Sequence, residues 1–229
     1  MSNDTREAAS GAMTLFGAAA SGSVAVEAAM TLLGLRYRLV EGATWHDPAA
    51  RERVAPANPA RQIPTLVLPS GEVMTESCAI LIWLADLHPE ARLAPRPEDA
   101  ERATFLRWMV YVSTAIYSLH WIKPDPGRIG VPAEAAEAVV DALHDRIESC
   151  WRMMDDQVAP RNETTRYLLG DDLTVLDLYV TVVSRFGPWR TRFYRAAPRM
   201  AEMVRRVDSD PRLEEFWARR FPFEEGWEA

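Results

Sequence analysis

The 229-residue chain is nearly free of lysine. Lys123 is the single one, so 25 of the 26 basic residues are arginines, and these are scattered along the chain. Against 33 acidic residues they leave a net charge of −7. A dedicated nucleic-acid binder or an anionic-membrane binder needs a basic face, and neither class fits. Cysteine is equally scarce. Cys78 and Cys150 are too few for a disulfide framework, and their flanks read as buried helical positions of a reduced cytosolic protein. His46, His88, His120 and His144 are dispersed without ligand spacing, so no metal is expected. No uninterrupted apolar run approaches the ~18 residues of a membrane span. Residues 1–12 lack the charge order and hydrophobic block of a signal peptide and read as a disordered leader. The expectation is a cytoplasmic protein. Its apolar share of 48 % is ample for a core.

Two compositions follow one another. Residues 13–88 alternate short β-like and helical runs: a strand at 13–16, a helix over 23–33 closed by Gly34, and a strand at 37–40. A proline- and arginine-bearing stretch over 47–61 reads as loop or one broken helix. Runs at 65–68 and 72–74 flank the turn Pro69-Ser70-Gly71 as an antiparallel hairpin, and a helix over 77–87 follows. The order β-α-β-(α)-β-β-α implies a mixed sheet with helices on its faces. A linker at 89–99 carries Pro89, Pro95 and Pro97. Everything after it, 100–229, is helical. Phe105, Trp108, Met109, Val112, Ile116 and Leu119 trace one buried face. Val139, Val140, Leu143, Ile147, Trp151 and Met154 trace a second, ended near Pro160. A third helix starts at Thr174, and shorter ones fill 197–207 and 211–219.

Two local patterns stand out. The first is Gln62-Ile63-Pro64-Thr65-Leu66 followed by Thr75-Glu76-Ser77-Cys78. A proline just ahead of a β run cannot donate to the ladder and is explained by a cis bond that turns the preceding amide and carbonyl outward. Glu76-Ser77 stands where the hairpin meets the next helix, whose free N–H groups favour a carboxylate ligand. Singly, Pro64 could merely end a loop and Ser77 merely cap its helix. The second pattern is Leu173-Thr174-Val175-Leu176-Asp177-Leu178. Thr174 and Asp177 form a capping box there, with Leu173 and Leu178 placed as a hydrophobic staple.

The segment from Gln62 through Leu84 resembles the glutathione site of cytosolic glutathione S-transferases, and the likeness extends from about Met13 to Phe221. The resemblance implies a thioredoxin-like α/β N-terminal domain followed by an all-α helical bundle. By the same resemblance Gln62 and Ile63 bind glutathione, with Ile63 making paired main-chain bonds to its cysteinyl part. Pro64 is the cis-proline, and Glu76 and Ser77 hold the γ-glutamyl amine and carboxylate. Thr174 and Asp177 seed the central helix of the second domain.

The family places a Tyr, Ser or Cys in the loop after the first strand. Here that loop reads Gly17-Ala18-Ala19-Ala20-Ser21-Gly22-Ser23, which leaves Ser21 or Ser23 as the catalytic hydroxyl. An alternative register puts Gly22 at the cysteine position and leaves no side-chain activator. The basic residue often found just beyond is also missing, since Val24-Ala25-Val26-Glu27 follow. Trp45-His46 is a poor match to the loop that touches the glycyl end. Tyr111, Ser113, Tyr117 and Trp121 are the polar and aromatic candidates for an electrophile pocket.

The implied activity joins the glutathione thiolate to small hydrophobic electrophiles, a transfer of alkyl or aryl groups by a homodimer that needs no metal. The alternatives are a glutathione-fold scaffold without transferase activity, or a glutathione-dependent reductase, dehalogenase or isomerase.

Overall fold

The computed structural model describes residues 12–162, 165–187 and 189–223. The leader expected at 1–12 therefore falls, except for its last residue, outside the described residues. The chain divides into two compact units, Met1–Ala91 with Pro211–Pro222, and Arg92–Asp210 with Phe223–Ala229.

The first unit is built on four strands in the order β2-β1-β3-β4. They are β1 (Met13–Gly17), β2 (Tyr37–Glu41), β3 (Thr65–Val67) and β4 (Val73–Thr75). β1 runs parallel to β2, with Leu15 opposite Leu39, and antiparallel to β3, with Leu15 opposite Leu66. The β3–β4 hairpin closes the sheet, and Gly71, at φ +88°, supplies the left-handed residue of its turn. Leu15 and Leu66 are fully buried at the centre. Helix α1 (Ser23–Leu32) is buried along its first two turns, Ser23 to Met30, because small and β-branched residues let it lie close to neighbouring elements. Gly34, at φ +64°, follows it in the left-handed conformation expected of a helix stop. The stretch 47–61 holds one short helix, α2 (Pro48–Val54), whose Asp47 cap accepts the Ala49 N–H at 2.9 Å. Helix α3 (Ser77–Leu87) follows β4.

The second unit is helical. α4 (Arg102–Tyr111) and α5 (Ser118–Ile122) are joined by a π-helical segment, Val112–Tyr117, so the long helix read from the sequence is widened in its middle. α6 runs over Ala136–Asn162 and so passes Pro160 instead of stopping before it. α7 is Val175–Val183, α8 Trp189–Ala196 and α9 Pro198–Asp208; α8 was absent from the sequence reading. α10 (Glu214–Arg220) is a further correction. The sequence placed it in the helical domain, whereas it groups with the sheet unit. No helix is long and apolar enough to cross a membrane, among the described residues.

Candidate functional site

The loop between β1 and α1 is determined by hydrogen bonds rather than by apolar contacts, since it is made of Gly, Ala and Ser. Ser23 is fully buried at the first position of α1. Its Oγ accepts the Ala18 N–H at 3.0 Å and lies 2.9 Å from Glu27 Oε1, to which it donates. Gly17 makes this packing possible, because a Cβ there would stand 2.6 Å from Ser23 Oγ. Ser21, 6 % exposed, donates its hydroxyl proton to the Ala18 carbonyl at 2.7 Å and accepts the Ser23 N–H at 3.2 Å. The two serine oxygens are 2.9 Å apart. Both hydroxyls expected to be catalytic thus have partners within the loop itself.

Glu27 is the oddity of α1, a carboxylate in an apolar helix. Burial raises its pKa, while the Arg220 guanidinium and the Ser23 hydroxyl pull the other way. Arg220 Nη2 donates to Glu27 Oε1 at 3.0 Å, and its Nη1 lies 2.9 Å from Glu41 Oε2. Glu41 in turn accepts the Ala19 N–H at 2.9 Å, and the Arg220 carbonyl accepts the Ala20 N–H at 2.9 Å. Sequence reading noted Glu27 only as the place of a missing base. A charged residue inside an apolar helical run is the signal that could have marked it as half of a buried pair. Nothing local points to Arg220, which is 193 positions away.

The Ile63–Pro64 peptide is cis. The carbonyl just before it is pinned, with Gln62 O accepting from Thr65 Oγ at 2.8 Å and Asn58 Nδ2 at 3.1 Å. Asn58 also donates to Thr65 Oγ at 3.0 Å, so both side chains, which the sequence pattern assigns no role, fix this corner. Among the described residues neither the Ile63 N–H nor its carbonyl meets a protein partner. Glu76 adopts φ +65°, a left-handed backbone that a side chain disfavours by about 1–3 kcal/mol. It stands at the N-cap of α3 with its side chain exposed, and the buried Ser77 opens the helix. The thiol of Cys78, one residue on, is pushed up to about 11 by burial and then by the charge of Glu76, so it is no nucleophile at neutral pH. Trp45, 41 % exposed, meets His46 edge to face at 5.4 Å.

In the helical unit the candidate pocket residues turn to different neighbours. Tyr111 donates to the Cys150 carbonyl at 3.3 Å and packs edge-on against Trp108, and its hydroxyl pKa is raised, first by burial. Tyr117 stacks on Phe186 at 5.6 Å and meets Tyr179 edge-on. Ser113 lies half-buried in the π-helical segment between them, and Trp121 is exposed beneath the Arg128 guanidinium. His120 was set aside in the sequence, yet both its ring nitrogens are buried without a hydrogen-bond partner among the described residues. Burial, then Lys123 and His144, depress its pKa to about 3. The Thr174–Asp177 box is formed. Asp177 accepts from the Thr174 N–H at 2.8 Å, its hydroxyl at 2.7 Å and the Leu168 N–H at 2.9 Å. Burial nevertheless raises its carboxyl to about 6. Among the described residues no three His, Cys, Asp or Glu side chains gather as metal ligands.

A family profile described as the glutathione S-transferase N-terminal domain matches residues 23–87. The uncharacterized GST-like protein YncG of Escherichia coli K12 is 28 % identical over 202 residues, covering 88 % of this chain and 95 % of its own length. A probable maleylacetoacetate isomerase of Caenorhabditis elegans is 27 % identical over 135 residues, covering 57 % of this chain and 58 % of the isomerase. Among solved structures, a glutathione transferase homologue from Sulfitobacter with bound glutathione has the same fold. Its TM-score is 0.75 at 22 % identity, covering 90 % of this chain and 97 % of its own.

Proposed function

We propose that the chain, which resembles glutathione S-transferases over residues 23–87 and along most of its length, binds glutathione on its sheet unit and transfers the thiolate to small hydrophobic electrophiles. The observation that carries this reading is the corner at Ile63–Pro64. Among the described residues a main-chain donor and acceptor stand there without protein partners, ahead of the central strand β3. An extended peptide can pair with both, in the manner of one added strand residue. Glu76 and Ser77 at the start of α3 suit the charged γ-glutamyl end, where helix N–H groups favour a carboxylate and Glu76 an ammonium.

The two serines divide the work at the thiol. Ser23 gives its proton to a carboxylate already, so exchanging Glu27 for a thiolate brings no gain; it braces the loop. Ser21 gives its proton to a neutral carbonyl, and a thiolate is the stronger acceptor. Ser21 is therefore the hydroxyl that stabilises the thiolate, helped by the N-terminus of α1 and by the Gly22 N–H, to which the described residues offer no acceptor. The thiol proton leaves to solvent. The sulfur lone pair then forms the S–C bond while the leaving group departs with its electron pair, or adds to an activated double bond that later takes up a proton. Within the helical unit, the side chains proposed to bind the electrophile are Ser113 and Tyr117, half-buried in the π-helical segment, and Tyr111 at its start. A homodimer is supported by Leu106 and Val110, one turn apart on α4 and 37 % and 52 % exposed.

The engagement of both serines inside the loop favours one second reading, a glutathione-binding scaffold without chemistry. Calorimetric titration with glutathione, followed by turnover of an activated aryl halide, separates the two. Binding with turnover above the uncatalysed rate is the expected result, binding alone selects the scaffold, and no binding refutes both.

A further inference from the structure

Three consecutive amides of the β1–α1 loop are each taken by a different member of one network. Ala18 N–H goes to Ser23 Oγ at 3.0 Å, Ala19 N–H to Glu41 Oε1 at 2.9 Å, and Ala20 N–H to the Arg220 carbonyl at 2.9 Å. Ser23 is tied to Glu27 at 2.9 Å, and the Arg220 side chain joins Glu27 to Glu41. Arg220 thus grips the loop twice, directly by its carbonyl and indirectly through two carboxylates. Ala20 is held at φ +53°, a conformation an alanine leaves when it is free to do so. Apolar packing cannot impose this shape on a run of alanines. Charge and hydrogen bonds have to.

We propose that Arg220, acting through Glu27 and Glu41, is the positioning residue of the loop that faces the glutathione thiol. It touches no substrate. It holds residues 18–20 so that the Ser21 hydroxyl and the Gly22 N–H present themselves together at the start of α1. The proposal rests on the glutathione reading above, and it makes the last turn of α10 part of the sheet unit's function as well as of its packing. Without the guanidinium, Glu27 is a buried carboxylate facing Glu41 across the loop, and the two acceptors separate. The loop amides then follow different partners and the thiolate loses its aligned donors.

The test compares Arg220→Met, Arg220→Lys, Glu41→Ala and Glu41→Gln in the full chain. Glutathione affinity is measured by calorimetry, and a pH–rate profile is taken with an activated aryl halide. Arg220→Met is expected to leave the glutathione Kd within about threefold, since Ile63, Glu76 and Ser77 are untouched. It should lower kcat/KM at least tenfold below the thiol pKa, move the apparent pKa up by about one unit and speed amide exchange at Ala18, Ala19 and Ala20. Arg220→Lys should recover part of the rate. Glu41→Gln, which keeps an oxygen for the Ala19 N–H, should fall less than Glu41→Ala. If Arg220→Met does not fold, Glu41→Ala carries the test, because Glu41 is half-exposed and its removal buries no unpaired charge. A folded variant with an unchanged pH profile overturns the positioning role while leaving the glutathione site standing. A wild-type protein that does not bind glutathione takes both down.

Discussion

Replacing Ser21 with alanine removes one hydroxyl, and its effect on the thiol can be worked from the bond it already makes. In the resting loop Ser21 donates to the Ala18 carbonyl at 2.7 Å, a neutral hydrogen bond worth about 0.5–1.5 kcal/mol net. Turned to a thiolate, the same proton makes a charge-assisted bond worth about 1.5–3 kcal/mol. Only the difference, roughly 1–1.5 kcal/mol, is available to stabilise the thiolate, and at about 1.4 kcal/mol per unit this is close to one pKa unit. Ser21→Ala should therefore raise the pKa of bound glutathione by about one unit. The thiolate fraction below both pKa values falls about tenfold, but a more basic thiolate is more nucleophilic, with a Brønsted slope of about 0.45. The net loss is about three- to fourfold.

Above both pKa values the thiolate is fully formed in each protein, and the variant should be about threefold faster where chemistry limits the rate. The two pH–rate curves must cross. Ultraviolet titration of bound thiolate and stopped-flow rates with an aryl halide, taken between pH 5.5 and about 9.5 to span the free-thiol value near 8.5, read both quantities. Ser23→Ala is the contrast. It strips the Ala18 N–H of its acceptor in a fully buried place, costing about 1–3 kcal/mol of stability. Parallel curves for Ser21→Ala, or a crossing produced by Ser23→Ala alone, would refute the assignment of the two serines.

Three further outcomes are expected. Glu76→Gly relieves the left-handed strain at φ +65° and should raise the melting temperature while weakening glutathione binding, opposite signs that a merely structural Glu76 could not give. Asp177→Ala leaves the Thr174 N–H, the Thr174 hydroxyl and the Leu168 N–H without their acceptor, so chemical denaturation should show a loss of about 3–5 kcal/mol with glutathione affinity of the folded protein unchanged. His120, whose folded pKa of about 3 lies below its ordinary 6.5, is protonated first in the unfolded chain, so its contribution is intact above pH 6.5 and drains away as pH falls towards 3. On going from pH 7.5 to 5, His120→Gln should lose about 2 kcal/mol less than wild type, and equal losses would mean the ring is protonated in the fold.

What was legible in the sequence is what neighbours in sequence decide. Thr174 and Asp177 are three positions apart, a spacing at which a side chain reaches back to its own helix start, and the box is formed as the spacing implies. The bend at Ile63–Pro64 and the helix start at Ser77 were readable for the same reason, because a proline before a strand and a serine after one each have few local explanations. The register of the first loop was not, and the cause is physical. Gly17, three alanines, Ser21 and Gly22 carry almost no conformational preference of their own, and beside the local serine bonds the loop is held by Glu41 and by Arg220, the latter at the far end of the chain. The same distance explains α10. Its sequence fits a helix of either domain; in the sheet unit Phe216 and Trp217 are buried and Arg220 meets two carboxylates and the Ala20 amide. On the proposed reading, weak local preference and a distant partner also serve the chemistry: a loop of small residues would let a substrate sulfur approach the backbone closely, and the remote charge of Arg220 would hold that loop in one shape.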